Sequence, residues 1–141
     1  MTASNGIMAG KRGLIMGVAN ERSIAWGIAA AAAAQGAELA FTYQGDALRK
    51  RVEPLAASIQ SDLVMECDVT DDASMDAVFA ELEEKWGKID FILHAIAFSD
   101  KEELKGKYVD TTRGNFDRTM DISVYSFTAI AARAAKLMTE I

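Results

Sequence analysis

The stretch that decides the fold is Lys11-Arg12-Gly13-Leu14-Ile15-Met16-Gly17-Val18-Ala19-Asn20-Glu21-Arg22-Ser23-Ile24-Ala25-Trp26-Gly27. Its apolar part is too short for a helix and ends on a glycine, so Lys11 to Gly17 reads as a buried strand running into a turn. Ser23 is a candidate helix N-cap, and the alanine-rich run from Ile24 to Gln35 is the helix it would start. Gly36 stands where a left-handed C-terminal cap belongs.

Outward from this unit the pattern repeats. Ala37 to Tyr43 reads as a second strand. Asp46 to Ser61 is helical in composition, with a break or kink expected between Arg51 and Pro54, because proline cannot donate to the helix ladder. Asp62 to Cys67 is a third strand. Met75, Val78, Phe79, Leu82 and Trp86 then recur at helical spacing on one face. Thr70, Asp71 and Asp72 supply cap and dipole-matching charge, and Gly87 a stop. Ile89 to Ile96 is a fourth strand. Ser99 to Arg113 is polar and reads as a loop with short helical turns. From about Asn115 the chain is helical again, with Phe116, Met120, Val124, Phe127, Ile130 and Leu137 among its apolar positions.

Strand and helix alternate throughout. The expected fold class is therefore α/β: a doubly wound, Rossmann-type parallel sheet with helices on both faces. Residues 1–141 read as the N-terminal part of a single dinucleotide-binding domain. Ala132 to Ile141 is helical with no strand after it, so the C-terminal part of such a fold is expected to be missing from this stretch.

The bulk composition narrows the function classes. The chain has 141 residues, half of them hydrophobic and 26% charged, with a net charge of −6. An acidic chain repels phosphate backbones, so no nucleic-acid partner is expected. Arg49-Lys50-Arg51 is a local exception, either a solvated helix face or a point of contact for an anion. Cys67 is the only cysteine, which fits a reducing compartment and a small buried hydrophobe. No metal site is expected. Residues 1–10 lack a signal-peptide pattern, and the apolar run from Ile24 to Ala34 is too short to span a bilayer. The expectation is a cytoplasmic protein with no membrane partner.

The candidate chemistry lies at the strand ends. Between the first strand and its helix, Gly17 allows a tight turn and close approach of an anion, Ser23 adds a hydroxyl, and Gly27 would let the helix pack closely on the sheet. This is not a G-x-G-x-x-G pattern, and a plain strand-to-helix turn explains it equally well. Gln44 ends the second strand, where an acid commonly meets the adenosine ribose. It can bond hydroxyls without charge, or it is simply a turn residue. No arginine immediately follows it to hold a 2′-phosphate, which favours NAD(H) over NADP(H). Asp68 and Val69 end the third strand and suit an adenine ring, with helix capping by Asp68 as the alternative. His94-Ala95-Ile96-Ala97-Phe98 ends the fourth strand, with small residues that let a cofactor pass. His94 itself reads more naturally as a satisfied interior histidine. Together these ends would meet at one edge of the sheet.

The joint pattern resembles the short-chain dehydrogenase/reductase superfamily and, within it, the NADH-dependent enoyl-[acyl-carrier-protein] reductases of bacterial fatty-acid synthesis. The stretches that carry the resemblance are Gly17 to Ala29, Gly36 to Gln44, Cys67-Asp68-Val69, His94 to Phe98 and Asp121 to Phe127. The resemblance implies NAD as cofactor, with Gly17, Ser23 and Ile24 on the pyrophosphate side and Gln44 on the adenosine side. It implies Asp68 and Val69 framing adenine, Ile96 against the nicotinamide-side ribose, and Ser99 near the acyl substrate. Ala97 replaces a glycine common in the family and narrows the floor of the site. The resemblance also implies reduction of the trans-2-enoyl thioester of an enoyl-acyl carrier protein, and assembly into a homotetramer through the helix from Asn115 onward, a helix that ordinary coverage of the sheet explains equally well. A carbonyl reductase of the same superfamily and a non-catalytic dinucleotide-binding module are the alternatives. The family's proton-relay tyrosine and lysine, with six residues between them, are expected downstream. Tyr125 is read as lacking the lysine partner, and Tyr43 and Tyr108 likewise, so no catalytic residue is assigned in this chain.

Overall fold

The computed structural model describes residues 6–138. Four strands form one sheet in the order β3-β2-β1-β4, with every neighbouring pair parallel. They are β1 (Arg12–Met16), β2 (Glu38–Tyr43), β3 (Val64–Glu66) and β4 (Phe91–His94). The third and fourth are shorter than the apolar runs that predict them. The flanking backbone still pairs: the Phe41 N–H donates to Leu63 O and the Cys67 N–H to Tyr43 O. In β1, Met16 sits opposite Thr42 on one side and His94 on the other.

Period-two alternation sends successive residues to opposite faces. Leu14 and Met16 join Ala40 in one core, against Met75, Val78, Phe79 and Leu82 of α3 (Asp72–Trp86) and Ile130 and Ala134 of α5 (Ser126–Ala135). Ile15, Leu39 and Phe41 join the other, against Ala25 and Ala29 of α1 (Ile24–Ala34) and Val52 and Ala56 of α2 (Asp46–Ser58). Helices therefore cover both faces, as a doubly wound parallel sheet requires. The four residues of β4 are all half-buried, whereas Leu14, Ile15 and Met16 of β1 are fully buried.

Local signals account for most element ends. α1 closes with a Schellman motif: the Gly36 N–H bonds Ala33 O and the Ala37 N–H bonds Ala32 O, with Gly36 at φ 98°. Asp71 caps α3, accepting from the Ala73 N–H at 3.0 Å, and Gly87 ends it at φ 74°. Thr112 caps α4 (Arg113–Met120), accepting from the Asn115 N–H at 3.2 Å.

Four expectations need correction. Ser23 occupies the N-cap position of α1, but its hydroxyl makes no cap bond. Gly27 does not serve helix–sheet packing: it is exposed, and a methyl there would meet nothing within 4 Å. Ala25 and Ala29 face the sheet instead. α2 runs unbroken through Pro54, which lies on its exposed side while the buried Val52 and Ala56 hold the helix down. The helix from Asn115 starts at Arg113 and is interrupted by a π turn over Asp121–Tyr125. A wider turn shifts the phase of everything downstream. Ile130 and Leu137 are buried, while Phe116, Met120, Val124 and, although it follows the π turn, Phe127 remain 41–52% exposed. Of the expected terminal helix, residues 139–141 lie outside the described residues, and so do residues 1–5 of the N-terminus.

Among the described residues, no helix is long and apolar enough to cross a membrane. None of their His, Cys, Asp or Glu side chains groups in threes or more to hold a metal.

Candidate functional site at the strand ends

The chain leaves β1 through α1 towards β2, and returns from β3 through α3 to β4 on the other side of β1. The switch point therefore lies between β1 and β4, where open α/β sheets bind ligands outside the carboxyl ends of the strands. A cleft of about 500 Å³ opens there. Its lining includes Gly17, Gln44, Asp68, Val69 and Ile96, so five of the residues singled out by sequence converge. A wider depression, about 940 Å³, lies at the amino ends of β2 and β3, away from all of them.

The loop after β1 is built for close approach. Gly17 has φ 108°, and a methyl group on it would overlap the carbonyl of Ala95. Only glycine suits both conditions. Ser23 turns its hydroxyl back into the loop, where Oγ accepts from the N–H groups of Ala19 at 2.9 Å and Asn20 at 3.1 Å. With both acceptor sites used, its O–H remains available as a donor. Because no side chain caps α1, its first N–H groups also remain open to an outside acceptor. Ile24 opens that helix with its side chain 80% exposed, and neither it nor Ser23 lines the cleft directly.

At the end of β3, Asp68 does not cap α3; Asp71 does. Oδ1 of Asp68 instead accepts from the N–H and hydroxyl of Thr70, at 2.9 and 2.7 Å. Oδ2 has no partner among the described residues, so it can accept from a ligand. Val69, 6% exposed, presents an apolar wall. Cys67 is buried beside them, and burial and the neighbouring Asp68 charge push its thiol up to about 11. It is packing rather than a nucleophile.

Beyond β4, Ala95, Ile96, Ala97 and Phe98 line the cleft. His94 points away into the interface with α5. Its Nε2 lies 2.7 Å from Ser126 Oγ, and the Ser126 hydroxyl donates to Ile122 O at 2.6 Å. That hydroxyl proton is committed, so the imidazole carries its hydrogen on Nε2 and donates. Burial lowers the His94 pKa and favours the neutral ring. This is the satisfied interior histidine expected from sequence. Ser99 is drawn out of the cleft, its hydroxyl 3.2 Å from both Asn115 Nδ2 and Thr119 Oγ1 of α4.

Sequence reasoning missed Arg118 and Ile122, which reach the cleft from α4 and the π turn. They lie far along the chain, and no local pattern marks them. The expectation that Tyr43 has no lysine at this spacing needs correction, since six residues separate it from Lys50. One is at the end of a strand and the other on α2, and only Tyr43 lines the cleft. They do not form the relay pair. Arg49 pairs with Glu53 at 2.8 Å on the exposed side of α2, the solvated-face reading of that basic run.

A doubly wound parallel sheet with a cleft at its switch point defines a Rossmann-type α/β domain. Residues 17–141 match the family described as enoyl-(acyl carrier protein) reductase. The chain is 67% identical over 140 residues to enoyl-[acyl-carrier-protein] reductase [NADH] 1 of Rhizobium meliloti, covering 99% of this chain and 52% of that one. FabI from Candidatus Liberibacter asiaticus superposes with a TM-score of 0.92 at 54% identity, over 94% of this chain and 51% of that one. The enoyl-(acyl-carrier-protein) reductase of Anaplasma phagocytophilum, solved in complex with NAD, gives a TM-score of 0.91 at 55% identity, over 98% of this chain and 54% of that one. The chain belongs to the enoyl-(acyl carrier protein) reductase family, and it spans about half the length of the curated relatives it matches.

Proposed function

We propose that the full-length protein uses NADH to reduce the trans-2-enoyl thioester double bond of an enoyl-acyl carrier protein. The observation that carries this reading is the convergence of Gly17, Gln44, Asp68, Val69 and Ile96 on one switch-point cleft, in a chain close in sequence to NADH-dependent relatives. The cleft suits a dinucleotide on its own terms. Gly17 lets the loop pass tightly against Ala95 at the cleft's edge, Ser23 keeps a free O–H, and Asp68 keeps a free oxygen. Bound NADH would supply the hydride.

The roles of this chain's residues are to bind and orient. Gly17, Ser23 and Ile24 hold the pyrophosphate side, Gln44 the adenosine ribose, Asp68 and Val69 the adenine, and Ile96 the nicotinamide-side ribose. Ser99 acts on the acyl side only through the chain segment it anchors to α4. Gln44 brings no positive charge to the ribose, which favours NADH over NADPH. Hydride adds to the β-carbon of the enoyl group and a proton to the α-carbon. The oxyanion that develops between these steps needs aimed donors. The exposed stripe of Phe116, Met120, Val124 and Phe127 supports assembly of full-length copies into a homotetramer. The buried, unpaired thiol of Cys67 fits a cytoplasmic location.

The test follows NADH absorbance in the full-length protein with crotonyl thioester. Loss of absorbance that depends on the enoyl substrate is expected. Tight NADH binding with turnover only on ketones would instead identify a carbonyl reductase, and binding without turnover on either would leave a dinucleotide-binding module.

A further inference from the structure

We infer that Arg118 supplies the positive charge that meets the anionic bridge of the bound dinucleotide. This rests on the cofactor reading above and adds to it a residue that no sequence pattern marks. Among the described residues lining the cleft, Arg118 is the only cation and Asp68 the only anion. The glycine turn offers backbone N–H groups, which carry only partial charge. A pyrophosphate brought near an uncompensated carboxylate is repelled unless a full positive charge is also present.

Arg118 is placed and unspent. Its guanidinium carbon lies 4.5 Å from the centroid of the Phe98 ring, which also lines the cleft. Among the described residues it has no carboxylate partner. Arg12, Arg49 and Arg133 are each paired, with Glu38, Glu53, and Asp72 and Asp76. The backbone that carries this ring is itself tied down. Ser123 Oγ accepts from the Phe98 N–H at 3.0 Å and donates to the Phe98 carbonyl at 3.2 Å. A guanidinium lying over a ring keeps its N–H edge free for bonding. The charge therefore stands at the cleft before any ligand arrives.

The test compares wild type, Arg118→Gln and Arg118→Lys of the full-length protein in binding NADH, ADP-ribose and adenosine. Arg118 is exposed, so the substitutions leave folding intact, and unchanged melting temperatures check this. Arg118→Gln should weaken NADH and ADP-ribose by about tenfold, the scale of one lost charge-assisted contact. Adenosine should bind as before, and Arg118→Lys should recover most of the loss. Added salt should weaken NADH binding more steeply in wild type than in Arg118→Gln. Unchanged ADP-ribose affinity in Arg118→Gln, or an equal loss for adenosine, would overturn the inference. Failure of the wild type to bind NADH would overturn the cofactor reading itself.

Discussion

At position 17 the backbone has φ 108° and the carbonyl of Ala95 lies against the α-carbon. Alanine there faces two penalties at once, a left-handed backbone worth about 1–2 kcal/mol and an overlap that pushes β1 and β4 apart. Gly17→Ala should lower the melting temperature and weaken NADH binding by about tenfold or more. A variant that melts and binds like wild type would show that the loop adapts and that Gly17 sets nothing. Ser23 differs in kind. Its hydroxyl ties two loop N–H groups together instead of capping a helix. The residue type was legible in the sequence, but the direction of the side chain was not, because an N-cap and an inward loop tether require the same small hydroxyl at the same place. Gln44, Asp68 and Ile96 were legible because each follows a strand, and parallel strands deliver their ends to one edge.

Among the elements, α2 is where a local rule gave way. Proline removes the N–H that would bond the Lys50 carbonyl and crowds that turn. The helix persists because Val52 and Ala56 on either side are fully buried against the sheet, and solvent can satisfy the freed carbonyl on the exposed side. Pro54→Ala should restore the bond and raise stability by about 1–2 kcal/mol, the helix gain less the proline's restriction of the unfolded chain. A shift of the denaturant midpoint to higher concentration checks this; a lower midpoint would mean that the proline stabilises α2. The π turn failed to show in the sequence for a different reason. The apolar positions from Phe116 to Leu137 fit one helical period on paper. Phe116 and Met120 before the widened turn, Val124 within it and Phe127 just after it stay exposed, while Ile130 and Leu137 further on are buried, and no residue in Asp121–Tyr125 announces the widening. α3 was legible throughout, since its stripe, cap and stop all agree with its packing.

At the scale of the molecule, two cores flank one sheet, and α5 is fastened to α3 by more than apolar contact. Arg133 reaches both Asp72 and Asp76, at 3.3 and 2.7 Å, with its side chain only 19% exposed. On the chain leading into α5, Phe116, Met120, Val124 and Phe127 stay exposed. If the stripe is the surface between copies, charge placed on it should separate them. Val124→Asp with Phe127→Asp in the full-length protein should reduce the sedimenting mass from that of the proposed tetramer towards smaller species while the circular dichroism spectrum stays unchanged. An unaltered tetramer would show that the copies meet elsewhere.

Cys67 gives the chain a clock of its own. Its thiol is 4% exposed, held mostly protonated at neutral pH by the burial that raises its pKa to about 11, and seated where β3 meets the cleft. A thiol reagent can reach it only when that end of the sheet opens. The labelling rate of one native sulfur therefore times the breathing of the floor of the site, and a ligand that holds the floor shut slows it, with no probe to be introduced.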